Sequence, residues 1–339
     1  MENNPQVYTP QTQQNNIVPV IYFTAENLNP GTGSWFSTCK AVREALEEFS
    51  CFVAVYDKVE PEFISDAFAS FKELFNLPME TKLLNTIPDR PAFGYIRPRP
   101  ETPVHETVGI EDSTTIGAVQ SFANVIWPSG NDHFCETIHS YTKQVSEVNR
   151  LVSRMIFESY GVGKYSDSHI ESTSYLLRAN AYRVPHEKEP NLGIIPHTDT
   201  SFVSVVKQDS VQGLQVQLKD GTWIPVHLPQ SSFAVMAGDA MLAWSNGRVH
   251  PCFHRVIMKE KARFSIALFS FHKGVVQVPK ELADDNYPLR FKSFDHFGLL
   301  NFRLKNPALS CQERVKAYCG IKDAWESINS CVGSQTQPN

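Results

Sequence analysis

The chain has 339 residues, 42% of them hydrophobic and 20% charged, the composition of an ordinary soluble globular protein. Its 31 Lys and Arg residues fall short of its 36 Asp and Glu residues, for a formal net charge of −5. That balance leaves no basic footprint for nucleic acid or an anionic membrane surface. The opening Met1-Glu2-Asn3-Asn4-Pro5-Gln6 lacks the basic and apolar regions of a signal peptide, and no apolar run approaches a membrane span. The seven cysteines are odd in number and form no CxxC pair, which favours reduced thiols. A cytoplasmic monomer with a small-molecule substrate is expected, without nucleic-acid or membrane partners.

Residues 1–16 are polar and rich in Gln and Asn, the composition of a disordered tail. The run from Ile17 to Phe23 predicts a short strand, and Pro19 favours an edge position for it. Trp35, Cys39, Val42, Leu46 and Phe49 recur at helical spacing, with Ser34 or Ser37 as the expected cap. Residues 51–56 read as a strand. A second helix is expected from about Glu60, carrying Phe63, Ala67, Phe68, Phe71 and Phe75, and ending by Pro78. Residues 84–130 contain six prolines and few periodic signals, so they are expected to be loop with short elements. From Asp132 to Tyr160 an apolar stripe of Phe134, Ile138, Tyr141, Val145, Val148, Val152 and Met155 predicts a long helix packed under a sheet.

Strands are expected at 175–182, 202–206, 214–218, 223–226, 233–236, 241–244, 253–257 and 264–271, with hairpin turns at Asp220-Gly221 and Asn246-Gly247. Many short strands at near-regular intervals predict a mainly β fold with flanking helices, a sandwich or barrel of the jelly-roll kind. The last sixty-odd residues read as helical and are expected to cover the barrel mouth. The organisation expected is a tail (1–16), an N-terminal helix and strand region (17–130), a jelly-roll domain with its support helix and C-terminal helices (131–325), and a flexible tail (326–339).

The chemistry concentrates between Asn180 and Phe271. In a strand, residues i and i+2 share a face, so His197 and Asp199 can offer an imidazole and a carboxylate to one point. His254, on a distant strand, would complete two histidines and one carboxylate, the facial ligand set of non-haem Fe(II) oxygenases. Each of these motifs arises often by chance, and their conjunction with Arg263 and Ser265 gives the signal its weight. Those two again share one strand face, where a guanidinium can grip a carboxylate through two parallel hydrogen bonds and a serine hydroxyl can add a third. His186, His227, His250 and His272 are read as loop, rim or core groups. Lys207 would be costly if buried without a partner, so it marks either a solvent-accessible position or a departure of this chain from its relatives.

His197-x-Asp199, then His254 fifty-five residues after Asp199, then Arg263-x-Ser265, together with Asn180-x-Tyr182, resembles the plant 2-oxoglutarate- and Fe(II)-dependent dioxygenases. The resemblance spans roughly residues 17 to 325. Two departures, Arg183-Val184-Pro185 after Tyr182 and Ser50 where a glycine is usual, suggest a divergent branch. It is similar to the enzymes that oxidise glucosinolate side chains and steroidal glycoalkaloids. The resemblance implies an isopenicillin-N-synthase-like double-stranded β-helix (jelly roll). It implies Fe(II) held by His197, Asp199 and His254, and 2-oxoglutarate held by Arg263, Ser265, Tyr182 and Asn180. O2 would be the oxidant and ascorbate the reductant. The expected reaction is hydroxylation of an apolar specialised metabolite, coupled to decarboxylation of 2-oxoglutarate to succinate and CO2. Desaturation, ring closure and O-demethylation are alternative outcomes of the same chemistry, and a non-catalytic metal- or ligand-binding jelly roll is the alternative outside it. Phe93, Tyr95, Phe122, Trp127, Phe269 and Phe271 are the expected lining of the substrate pocket.

Overall fold

A computed structural model describes residues 17–285 and 287–321. The tails expected at 1–16 and 326–339, and Cys331, lie outside the described residues. In chain order the elements are β1 (Val20–Tyr22), α1 (Gly33–Phe49), β2 (Cys51–Val55), α2 (Pro61–Phe75), α3 (Met79–Leu83), β3 (His105–Glu111), α4 (Ile116–Ile126), α5 (Asp132–Ser159) and α6 (Ser166–Glu171). They continue with β4 (Thr173–Tyr182), β5 (Leu192–His197), β6 (Val203–Gln208), β7 (Leu214–Gln217), β8 (Trp223–Pro225), β9 (Ser232–Ala237) and α7 (Asp239–Trp244). The last are β10 (His254–Ile257), β11 (Arg263–His272), β12 (Val275–Val276), β13 (Phe294–Asp295), α8 (His296–Lys305) and α9 (Cys311–Cys319).

Two sheets face each other, as in a jelly roll. The major sheet has seven strands in the order β1-β2-β9-β6-β11-β4-β3, and the minor sheet has four in the order β5-β10-β7-β8. Strand alternation divides each major strand between two cores. Outward residues such as Leu177, Ala179, Val205, Ile266 and Leu268 pack with α1, α2, α4 and α5. Inward residues such as Val53, Val206, Ala234 and Ala267 meet Leu214, Val216 and Ile224 of the minor sheet. The predicted stripe of α5 lies in the first of these cores, so that helix is the support the sequence expects. The edge position expected from Pro19 is where β1 lies.

Helix α1 starts from Thr32, whose hydroxyl accepts from the Trp35 amide at 3.2 Å, earlier than the expected Ser34 or Ser37. It ends at Ser50, which adopts φ 60° in the left-handed region. That conformation is free to glycine and strained for serine, which explains why glycine is usual there.

Four expectations are corrected. The 84–130 region holds two real elements, β3 and α4. Helix α4 carries Val119, Phe122, Ala123 and Ile126 at helical spacing, a stripe obscured by the surrounding prolines. Strand β3 is masked by Gly109, which has to be glycine because the backbone of Phe93 passes over it, so close that a Cβ would lie 2.6 Å from the Phe93 carbonyl oxygen. Residues 241–244 belong to a helix, α7, not a strand. All six of its residues are buried, and a helix without a polar face shows no helical period. Asn246-Gly247 (φ 56° and 88°) therefore turns the chain after a helix and closes no hairpin. Lys207 is also buried, at 4% exposure, and not solvent-accessible. Its ammonium donates to the carbonyls of Pro229, Gln230 and Ser232, at 2.9, 2.5 and 2.9 Å, which offsets the cost of burying it.

Beside α5, the buried imidazole of His169 lies among Phe202, Phe157 and His272, at ring distances of 4.5, 4.9 and 5.1 Å. Burial, then His272 and His296, pushes its pKa down to about 3, and burial pushes His296 to about 4. Between those values and about 6.5 the unfolded chain holds protons the native chain does not. Stability therefore rises with pH across that window and is lost as pH falls through it. Replacing His169 with Phe is expected to flatten the fall by up to about 1.4 kcal/mol per pH unit. Urea unfolding between pH 5 and pH 7 measures it, and an unaltered slope would remove His169 from the acid response.

Candidate metal and co-substrate site

The two candidate histidines are direct cross-strand partners, since His254 of β10 pairs in register with His197 of β5. Their rings lie 4.2 Å apart. Asp199 stands just beyond the end of β5, so the turn after the strand, not the strand face the sequence suggested, aims its carboxylate. Asp199 Oδ1 lies 3.6 Å from His197 Nε2 and 3.9 Å from His254 Nε2. One ligand atom from each of the three residues falls within 4.8 Å of the others.

The surroundings fit these groups to a divalent metal. The Nδ1 atoms of His197 and His254 donate to the carbonyls of Ile195 and Cys252, at 2.9 and 3.1 Å. A proton fixed on Nδ1 leaves the Nε2 lone pair free, and both Nε2 atoms face Asp199. Burial, then the neighbouring His254, pushes His197 down to about 3, so its imidazole is neutral and ready to ligate. Burial alone would raise the Asp199 carboxyl. The neighbouring His254, with a hydrogen bond from Ser204, outweighs that and holds it below its ordinary value.

Two partners that sequence reasoning missed fix the Asp199 turn. Ser204 Oγ donates to Asp199 Oδ2 at 2.7 Å. Arg303 of α8 reaches the Thr198 carbonyl at 2.7 Å and the Thr200 hydroxyl at 2.9 Å, so a C-terminal helix does brace this end of the barrel. Removing an outer partner of this kind typically weakens metal binding 10–100-fold. Ser204→Ala is accordingly expected to loosen divalent-metal affinity by about that factor with the fold intact. Competition with a chelating dye measures it; wild-type affinity would show that Asp199 needs no such support.

On the inner face of β11, Arg263 is 1% exposed. One terminal nitrogen donates to Ser265 Oγ at 3.2 Å, the other to Gln208 Oε1 at 2.8 Å, and the guanidinium lies 4.7 Å from the centre of the Tyr182 ring. Its Nε has no hydrogen-bond partner among the described residues. A buried cation facing only neutral groups is unbalanced, and a carboxylate from outside the chain is the group that would balance it. Pairing places Tyr182 opposite Arg263 and Asn180 opposite Ser265, and Gln208 also opposite Ser265 from the other side. The four residues expected around the co-substrate therefore share one face. Asn180 Oδ1 lies 3.0 Å from His105 Nε2, and the His105 ring stacks on Tyr182 at 4.7 Å. Gln208 was missed because one polar residue closing an apolar strand carries no signal.

The expected pocket residues divide. Phe93, Phe269 and Phe271 gather on the inner side, Phe93 and Phe271 with ring centres 6.1 Å apart. Phe297, Leu176 and Leu300 complete the cluster. Tyr95, Phe122 and Trp127 do not join them. Phe122 and Trp127 pack on Phe134 of α5, at 5.7 and 4.8 Å. Tyr95 donates to Glu106 at 2.5 Å within the same helical core. Both β3 and β4 alternate about the major sheet, and these three rings fall on its outer side. His250 also stays away from the triad, exposed, with its Nδ1 3.5 Å from Gln312.

A jelly roll carrying two histidines and a carboxylate beside an unbalanced buried arginine defines a metal-dependent oxygenase framework. The comparisons agree. Residues 173–272 match the 2OG-Fe(II) oxygenase superfamily, and residues 18–129 match the N-terminal region of the non-haem dioxygenase in morphine synthesis. The chain is 38% identical over 313 residues to the probable 2-oxoglutarate-dependent dioxygenase AOP1.2 of Arabidopsis thaliana, covering 90% of this chain and 96% of that protein. Among solved structures it resembles the rice dioxygenase for auxin oxidation, with a TM-score of 0.75 at 28% identity over 89% of this chain and 99% of that one. It also resembles the 2-oxoglutarate complex of the Arabidopsis thaliana enzyme for auxin oxidation, with a TM-score of 0.71 at 26% identity over 80% and 100% of the two chains. The chain belongs to the 2-oxoglutarate- and Fe(II)-dependent dioxygenases, and its cofactors are Fe(II) and 2-oxoglutarate.

Proposed function

We propose that this enzyme hydroxylates a small plant specialised metabolite with a largely apolar body, held against Phe93, Phe269, Phe271 and Phe297. The observation that carries the reading is the placement of His197, Asp199 and His254 at one end of the barrel, with the Arg263 group on the facing sheet. His197 Nε2, His254 Nε2 and Asp199 would hold the iron, and Ser204 would fix the carboxylate that completes the set. Arg263, Ser265 and Gln208 would take the distal carboxylate of 2-oxoglutarate, with Tyr182 closing over it. When bound, the metal and co-substrate supply the oxidising power by coupling O2 reduction to loss of CO2 from the keto acid. The chain's own part is binding, orientation and exclusion of water, and no side chain has to act as general acid or base. The aromatic wall orients one C–H bond toward the open side of the triad, and that orientation decides whether hydroxylation, desaturation, ring closure or demethylation results.

The expected setting is a cytoplasmic monomer. The six described cysteines are all free thiols, and no described helix is long and apolar enough to cross a membrane. Light scattering at one chain mass would support the monomer. The reaction is tested by succinate release from 2-oxoglutarate with Fe(II) and ascorbate, against fractionated plant metabolites. Succinate above the uncoupled background with one fraction supports the reading. Tight 2-oxoglutarate binding without turnover in any fraction would favour a binding protein on the same fold.

A further inference from the structure

The inner face of the major sheet carries a second recessed cation that the proposed chemistry does not use. Arg178 of β4 lies in the same row as Leu176, Asn180 and Tyr182. Its register partners are Gly109 on β3, over which the backbone of Phe93 passes, and Ala267 on β11, so neither partner brings a charged or long side chain against it. Its guanidinium donates to Thr107 Oγ1, from Nε at 3.3 Å and from a terminal nitrogen at 3.2 Å, and to the carbonyl of Ala92. Those three contacts use three of its five N–H groups. No carboxylate pairs with it among the described residues. The nearby acids are committed elsewhere, Glu111 to Arg90 at 2.6 Å and Glu106 to Lys82 at 2.7 Å.

Burial, then the like charge of Arg99, lowers the Arg178 pKa to about 10, and Tyr182 and Asp199 act against this. Asp199 is thus the acid near enough to matter, and it is the carboxylate the metal would neutralise. A tie to the Ala92 carbonyl could be made by a neutral donor. A recessed, unpaired charge is a costly way to make that tie and a direct way to hold an anion. Through Ala92 the guanidinium adjoins Phe93, whose ring lies 6.1 Å from Phe271 and 6.3 Å from Phe297. Tyr182, the partner of Arg263, is four residues along β4 from Arg178, a strand distance of roughly 13 Å. The two cations therefore serve separate places on one face.

We propose that Arg178 docks an anionic group of the substrate, a carboxylate in its simplest form, with the apolar body of that acid lying on Phe93, Phe271 and Phe297. The substrate class is then an organic acid with a flat or aliphatic apolar body. This rests on the oxygenase reading, and the competing source of a carboxylate at Arg178 is 2-oxoglutarate itself.

The test uses the full chain with Mn(II) in place of iron and saturating 2-oxoglutarate, so that nothing turns over. The probes are 3-phenylpropanoate and its neutral isostere 3-phenylpropanamide, followed by Mn(II)-induced broadening of their proton resonances. The acid is expected to bind at least about ten-fold more tightly than the amide, the scale of a charge-assisted hydrogen bond. Arg178→Gln is expected to abolish that preference and leave 2-oxoglutarate affinity within about two-fold of the parent. Arg178→Lys, which keeps the charge, should retain part of the preference; it also guards against a Gln variant that misfolds. Equal binding of acid and amide, or no binding of the acid at millimolar concentration, overturns the proposal. So does a loss of 2-oxoglutarate affinity in Arg178→Gln, which would assign the cation to the co-substrate. If 2-oxoglutarate fails to bind the metal-loaded parent protein, it is the oxygenase reading that fails.

Discussion

Replacing His254 with alanine is expected to abolish turnover and release the metal. Loss of a residue that merely supports a metal ligand costs 10–100-fold in affinity, so loss of a ligand itself should cost more than about 100-fold. His197 and Asp199 would remain, one imidazole and one carboxylate, with the position opposite His197 on β10 vacated. The variant should still fold, because the strand pairing of β10 with β5 and β7 is made by backbone groups. Metal content after dialysis and succinate formation with a substrate fraction are the two readouts. Normal metal retention together with normal activity in this variant would sink the assignment of the triad.

Replacing Arg263 with alanine is expected to separate co-substrate binding from metal binding. Truncating one side of a buried, hydrogen-bonded charge pair costs roughly 2–5 kcal/mol, which is between about 30-fold and a few thousand-fold in affinity. The 2-oxoglutarate concentration for half-maximal rate should rise by that factor, while divalent-metal affinity stays near the parent's. The fold tolerates the change because Gln208, whose side-chain oxygen accepts from Arg263, also accepts from the Gly213 and Leu214 amides at 3.0 Å each and so remains anchored. Titration of 2-oxoglutarate into Mn(II)-loaded protein measures the effect apart from turnover. An unchanged affinity would place the clamp elsewhere.

His197, Asp199, His254, Arg263, Ser265, Asn180 and Tyr182 are all legible in the sequence, because ligand chemistry restricts residue type and strand alternation restricts spacing. The long helix α5 and most strands of the core are legible for a related reason, since burial on one face leaves a period in the chain. Elements buried on every side leave none, which is why α7 reads as a strand. The same loss of signal hides β3, where Gly109 interrupts the pattern to let the Phe93 backbone pass.

The chain by itself determined the class of chemistry, a facial ligand set for a divalent metal and a clamp for a carboxylate, because those depend on which side chains are present and at what spacing. Only the tertiary structure decided which aromatic rings pack together. Phe93 and Phe122 are equally apolar in the sequence, yet one meets Phe271 on the inner face and the other packs on Phe134 behind the sheet. It also decided that Ser204 steadies Asp199 and that Gln208 and Arg263 meet. And it decided that the neighbours of Arg178 across the strands are a glycine and an alanine, because pairing across a sheet joins residues 69 and 89 positions apart in the chain. No local pattern records such a pairing.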